Sequence, residues 1–537
     1  MDRVRSTRRF VDGEFGVLGG LLSVSILAVA QLDSLKVGLG MFAAIVTLAL
    51  AIANPKRFTM WAIPFAELVP PVLHIPTPLP LTIPRIVVAL AAVGWLVRGV
   101  QPSTRRMSPK FVALGVIFVL YVFSDSLISG GGTTISRGLS YSAEPLLTVW
   151  LMWLAVHTKD DVLKMMDILI GVMSIAALLA LYESATHHYL IPADEPLFFH
   201  APDRNGALRA QGIFPHPLVF GAALSLVLPL AIMRVFEVRN KLLPLAACAV
   251  FAGALLATGS RGPWAAAVVA VVVLATLLRG GRRATIITAL VCVAVAVGFS
   301  PLGGKVGTAL QGLVNAQSGQ AAGVYTVQYR QELLSQTVAY TSSHPLGTGP
   351  GLSGNLSFIA LVGGNNTNLA ESIDNAFAKY GVELGWVGLL LFLPLLLIPL
   401  VAAFSGRRDP SLGGVASALI AAQVAMVVVS FTVATFSWEQ LSELFWTITA
   451  LGFVVWQLSA VRGAEHHAEV SVQHAPPLSP RCDPSPPVPL ARIPRAVRPV
   501  PVPVLPNRPG SQLAPPGSTR SVRTHPSSRG VPRWDRP

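Results

Sequence analysis

The sequence predicts an all-α fold, a polytopic transmembrane helix bundle of about 12–14 spans with one large extracytoplasmic loop. Three observations predict it. Hydrophobic residues make up 52% of the 537 and charged residues only 12%, about half the charge of an ordinary soluble domain. Long runs such as Leu242 to Thr258 and Ala265 to Leu278 carry no charge at all. About 20 apolar residues at 1.5 Å rise cross a hydrocarbon core about 30 Å thick. A soluble domain hides one or two such runs as core helices, not a dozen. Finally, the basic residues fall in short clusters between the runs, as orientation in a bilayer requires.

Taken in order, the predicted spans are 15–31, 35–53, 58–73, 83–98, 110–128, 139–156, 163–182, 213–233, 242–258, 263–278, 284–300, 380–404, 412–435 and 440–459. The four arginines of Met1 to Phe10 precede the first run without a clear small-residue cleavage site, which reads as a retained signal anchor. With both termini cytoplasmic, 20 of the 40 Lys and Arg residues fall in the inside connections, 9 in the longer outside connections and 11 in the tail. The positive-inside rule asks for that split. Span 58–73 contains Glu67 and Pro70–Pro71. Losing it alone would put the Arg105–Arg106 and Arg282–Arg283 clusters outside, so it crosses or is lost with a neighbour. The sequence places the protein in the cytoplasmic membrane as a multi-pass chain.

Two segments are not membrane. Residues 301–375, rich in Gly, Ser and Asn, form the large outer loop of a bundle that spans 1–462. Residues 463–537 hold 18 of the 43 prolines and many arginines without apolar periodicity, the composition of a disordered cytoplasmic tail. The net charge of +14 does not point to nucleic acid, because no aromatic residues interleave with the basic ones for stacking. Cys248 and Cys292 lie in apolar runs and Cys482 in the tail, so no disulfide framework is indicated.

The outer basic residues need a reason other than orientation. Arg204 and Arg209 precede span 213–233, Arg261 sits in the near-loopless turn Thr-Gly-Ser-Arg-Gly-Pro-Trp, and Arg330 lies in the outer loop. A guanidinium is permanently charged and grips phosphate oxygens in pairs, so several at one face suit a lipid-linked diphosphate. Arg204 reads as meeting a carboxylate or a headgroup. Arg261 does not, because a charge between two apolar helices costs a few kcal/mol unless something compensates it. Asp374 falls at the start of the span after the loop, either as an N-cap or as a general base for a sugar hydroxyl. Residues 349–354 match G-x-G-x-x-G, but no βαβ unit surrounds them and a dinucleotide site is rejected. His187 and His188 are adjacent and read as interfacial. No cofactor or metal motif occurs.

In this order the pieces resemble the O-antigen ligase and surface polysaccharide polymerase superfamily of bacterial membrane proteins. The stretch from Arg209 to Gly221 resembles its Arg-x-x-Gly-Thr-Phe segment, and Thr258-Gly-Ser-Arg-Gly its Ser-Arg-Gly turn. Arg330 followed by His344-Pro-Leu-Gly-Thr-Gly-Pro-Gly resembles its periplasmic loop, and Asp374-Asn375 with Glu383-Leu-Gly-Trp-Val-Gly its His-Asn segment. The resemblance covers residues 205–400. It implies a GT-C-like bundle and a metal-independent glycosyltransferase of cell envelope biogenesis. The donor would be an undecaprenyl-diphosphate-linked oligosaccharide and the acceptor a glycan or lipid. Carried over, Arg261 and Arg330 with Asp374 are catalytic, and Arg209 and Asn375 bind substrate. Ligases that transfer to lipid A core typically carry histidine where Asp374 stands, which favours a polymerase with ligase second. The reading from another class is a transporter or flippase, which would place ionisable groups near the midplane with an inverted repeat. No repeat is visible and the spans look poor in central charges. A peptidoglycan-polymerising glycosyltransferase is the third reading.

Overall fold

The computed structural model describes residues 44–70, 74–75, 81–99, 107–130, 132–191, 208–278, 280–298, 334–352 and 373–473. Short helices α1 (Ala44–Ala53) and α2 (Pro55–Ala66) are parted at Asn54, whose side chain accepts from the Arg57 amide at 3.1 Å and caps α2. A two-residue antiparallel pairing, His74–Ile75 with Leu81–Thr82, leads into α3 (Ile83–Arg98) and α4 (Pro109–Ser129). Next come α5 (Gly132–Gly138), a π-helical turn (Leu139–Ala143) and α6 (Glu144–Ala155). The helices α7 (Lys159–Thr186), α8 (Pro217–Glu237), α9 (Leu242–Ala257), α10 (Arg261–Leu277) and α11 (Gly281–Gly298) follow. Residues 334–343 form α12. The chain then runs through α13 (Ala376–Gly406), α14 (Gly413–Ser430), a 3-10 turn (Thr435–Ser437) and α15 (Glu439–Gln473).

This is an all-α polytopic bundle. Six helices are long and apolar enough to cross a membrane: α4, α7, α8, α13, α14 and the part of α15 up to Val461. Shorter apolar helices α1, α9 and α10 pack among them. Two predicted spans differ in form. At 58–73 the helix is only 12 residues long and stops at Ala66, before Glu67 and Pro70. At 1.5 Å per residue it rises about 18 Å, short of a crossing. At 139–156 the helix begins seven residues earlier and carries the π turn inside it. Span 15–31, the outer-loop segments 301–333 and 353–372 and the tail from 474 lie outside the described residues.

Small residues set the packing. Helix α8 is buried along most of its length between α9, α10 and α14. Stretches such as Gly-Gly-Val-Ala-Ser-Ala in α14 and Ala-Ala-Ala-Val-Val-Ala in α10 let backbones approach closely, as membrane helices require. On the other side, α4 exposes Val112, Val116, Ile117, Leu120, Leu127 and Ile128, a face suited to lipid chains.

Among the described residues, three basic side chains predicted to face the cytoplasm are held in ion pairs. Arg234 grips Asp167 with two bonds of 2.6 Å, Lys56 meets Asp161 at 2.8 Å and Arg282 meets Glu237 at 3.4 Å. At one end of the bundle lie the starts of α3, α8, α10, α13 and α15, with the residues that carry the candidate chemistry.

Candidate functional site

The site begins with the segment before α8. Glu183, fully buried on α7, accepts bonds from the amides of Gln211 at 2.9 Å, Gly212 at 2.7 Å and Leu190 at 2.9 Å. One carboxylate thus folds the Arg209–His216 segment onto the end of α7. Gly212 has φ of 59°, a left-handed turn that favours glycine. His216 then caps α8, its Nδ1 accepting from the Leu218 amide at 3.0 Å. Burial, with the nearby Arg209 charge, lowers the His216 pKa to about 4. The ring therefore stays neutral near pH 7, as an acceptor cap requires.

Arg209 reaches across to the end of α9. Its Nε donates to the Thr258 carbonyl at 3.2 Å and its Nη2 to Ser260 Oγ at 2.9 Å, while the Ala210 amide donates to the Ala257 carbonyl at 3.1 Å. A guanidinium on the last carbonyls of a helix satisfies orphan acceptors and complements the dipole. Gly259 makes the turn possible at φ of 59°, and the Ser260 amide closes it onto Thr258 Oγ1 at 3.2 Å. Two motifs 49 residues apart are thus one structure, with Arg209 buried inside it.

Arg261 differs. It is exposed, and it opens α10 without a side-chain cap from Ser260. A cation at a helix N-terminus opposes the macrodipole. An anion there would meet both the guanidinium and the free amides of the first turn.

The Ser-Arg-Gly turn abuts the turn after α14. A Cβ on Gly262 would lie 2.3 Å from Thr432 Oγ1, and one on Gly221 would lie 2.9 Å from Pro263. The neighbouring Phe431 ring packs tilted against Phe377 of α13, with centroids 5.1 Å apart. Through these contacts Arg261 and Asp374 share one end of the bundle. Asp374 is half-buried and stands outside α13 instead of in its first turn. The N-cap is Asn375, whose Oδ1 accepts from the amides of Phe377 and Ala378 at 3.0 Å. The capping role weighed for Asp374 therefore belongs to its neighbour. Arg330 and Arg204 lie outside the described residues.

The glycine-rich stretch after His344 is a wedge. Helix α13 breaks at Gly385, with φ 67° and ψ −173°. The carbonyls released there are taken by the loop: the Thr348 amide donates to Val382 at 3.0 Å and the Gly349 amide to Glu383 at 2.9 Å. Tyr121 Oη reaches the carbonyls of Leu384 at 2.7 Å and Leu346 at 3.0 Å, pinning break and loop together. Those glycines serve backbone contact, not a nucleotide.

Sequence reasoning passed over a group beside this wedge. Arg137 is exposed, donates to the Ser437 carbonyl at 3.3 Å and packs along Gly351. Tyr141, carried on the π turn, places its hydroxyl 3.2 Å from Ser437 Oγ and bonds the buried Glu383 carboxyl, which lies 3.9 Å from Lys379 Nζ. The sequence signals were Arg137, a basic residue on the outer side, and Lys379 with Glu383 four apart. Among the described residues no group of three His, Cys, Asp or Glu side chains is placed to hold a metal ion.

No curated protein matches the chain. A family model described as O-Antigen ligase matches residues 246–393, from α9 through the outer loop into α13. The matched stretch carries the Ser-Arg-Gly turn, the glycine wedge and Asp374-Asn375; over these residues the chain is similar to the O-antigen ligase family, which supports a membrane enzyme acting on surface polysaccharide.

Proposed function

We propose that the chain polymerises or ligates surface polysaccharide at the outer face of the cytoplasmic membrane, taking the glycan from an undecaprenyl-diphosphate carrier. The observation that carries this reading is an exposed Arg261 at a helix N-terminus, on a turn braced by Arg209, at the same end of the bundle as Asp374. In the proposed reaction the acceptor hydroxyl attacks the anomeric carbon and the diphosphate departs with the bonding pair. Charge then grows on the diphosphate, and a fixed guanidinium stabilises it in place of a metal ion. Asp374 takes the hydroxyl proton, Arg330 adds a second cation from the loop and Asn375 orders the helix start beside them. Aspartate where lipid A core ligases carry histidine favours chain extension over ligation.

Restoring a deletion strain with wild type, Arg330→Ala or Asp374→Asn tests the reading. Short or unattached glycan with lipid-linked precursor accumulating outside, at normal membrane abundance, is the expected result. Precursor held on the inner leaflet would move transport to the front.

Arg209 has a distinct expected signature. Arg209→Lys keeps the charge but cannot make the two-pronged contact to Thr258 and Ser260. One charge-assisted bond contributes about 1.5–3 kcal/mol. Transfer in vitro should therefore fall about tenfold or more, with KM for the lipid-linked donor rising because the Arg261 turn loosens.

A further inference from the structure

Near the start of α15, ionisable side chains from four parts of the fold come together. Arg85 of α3 meets Glu144, the first residue of α6, at 2.6 Å and Glu439, the first residue of α15, at 3.7 Å. It also donates to Ser136 Oγ at 2.8 Å and to Ser140 Oγ. Thr82 donates to Glu439, and Thr148 of α6 donates to Glu443 at 2.8 Å. Gln440, between the two glutamates, donates from Nε2 to the carbonyls of Glu67 at 2.8 Å and Val69 at 3.2 Å, which ties the end of α2 to the cluster. Glu67 itself lies within electrostatic reach of Glu443 and Glu439.

The charges do not balance. Four carboxyl groups face one guanidinium, and the next cation among the described side chains is Arg137, which acts on Glu439 from the outer end. The surroundings are apolar, with Leu441, Leu444, Phe445 and Trp446 all buried beside them. Glu67 and Glu443 are buried, whereas Glu144 and Glu439 are partly exposed. An isolated buried carboxylate costs several kcal/mol, so uncompensated charge on Glu67 and Glu443 would not be held there. A second, independent observation points the same way. Glu67 Oε2 and Gln440 Oε1 are both buried and have no hydrogen-bond partner among the described residues. Gln440 Oε1 is an acceptor that lacks a donor, and a proton on the Glu67 carboxyl would make that group a donor. A metal ion is not indicated, because no three of these groups are placed to ligate one.

We propose that this cluster is a proton-binding site, in which protons shared among Glu67, Glu144, Glu439 and Glu443 compensate the carboxylates that Arg85 leaves unbalanced. Ser437, two residues before Glu439, and the Tyr141 hydroxyl 3.2 Å from its Oγ adjoin the cluster. It does not depend on the transfer reading. Because the folded chain holds protons there that the unfolded chain gives up near neutral pH, linkage sets the sign: stability falls as pH rises.

The test is infrared spectroscopy of the purified full chain in lipid at neutral pH, with solvent exchange into D2O. The carbonyl band of protonated carboxyl groups should be present, should shift in D2O and should lose area in both Glu443→Gln and Glu67→Gln. Thermal unfolding of wild type should weaken as pH rises, and Glu443→Gln should flatten that dependence. Absence of the band in wild type would overturn the proposal even if neither variant folds. So would a band that both variants leave untouched, or one abolished by sodium at fixed pH, which would mean a metal cation in place of protons.

Discussion

Arg261→Ala should lower glycan transfer by about 100- to 1,000-fold, the effect of removing one preorganised electrostatic contact to developing charge. Its structural setting makes the result discriminating. The side chain is exposed, and among the described residues no carboxylate pairs with it. It also stands at the first position of α10, where a cation opposes the helix dipole. Alanine there should leave stability unchanged or raise it by up to about 1 kcal/mol. Activity and stability should therefore move apart. In vitro extension with a purified lipid-linked donor reads the first, and thermal unfolding in detergent the second. Wild-type transfer by the variant would remove Arg261 from the chemistry. Loss of both together would make the residue a fold element.

Much of the fold was legible in the sequence because membrane helices announce themselves locally. The runs at 110–128, 213–233 and 242–258 match α4, α8 and α9 within a few residues. In the site, Arg209, Arg261 and Asp374 stood out for the same reason, as polar residues where apolar ones are the rule. Their division of labour did not. That Arg209 is buried against Thr258 depends on a contact 49 residues away, and that Asn375 caps α13 depends on where the helix starts to within one residue, the least predictable feature of a helix. The meeting of Arg85, Glu144, Glu439 and Glu443 near the starts of α3 and α15 was not legible either. Each stands singly or in a pair along the chain. The Thr82–Glu439 contact joins residues 357 apart, and no local pattern signals such a pairing. Broken helix α13 was hidden too, since Val-Glu-Leu-Gly-Trp-Val-Gly reads as continuous apolar helix.

That break supports the second large prediction. Gly385→Ala should destabilise the protein by about 2–4 kcal/mol, combining backbone strain with lost hydrogen bonds. Its φ of 67° and ψ of −173° fall in a region that glycine alone occupies readily. A Cβ there would also lie 2.0 Å from the Pro345 carbonyl oxygen, against backbone that cannot rotate aside. Relief would push the His344–Gly351 loop off the break, and the carbonyls of Val382 and Glu383 would lose the Thr348 and Gly349 amides. Those bonds hold the outer loop to the helix that begins beside Asp374, so transfer should fall with the unfolding temperature. Gly171→Ala on α7 is the opposing control. Nothing lies within 4 Å of its would-be Cβ, and alanine in an open helical position is favoured over glycine by about 0.5–1 kcal/mol. A drop for Gly385→Ala beside a gain for Gly171→Ala would assign the effect to the break. Equal unfolding temperatures in the two variants would mean that α13 can straighten and that the loop is held by something other than the glycine contact.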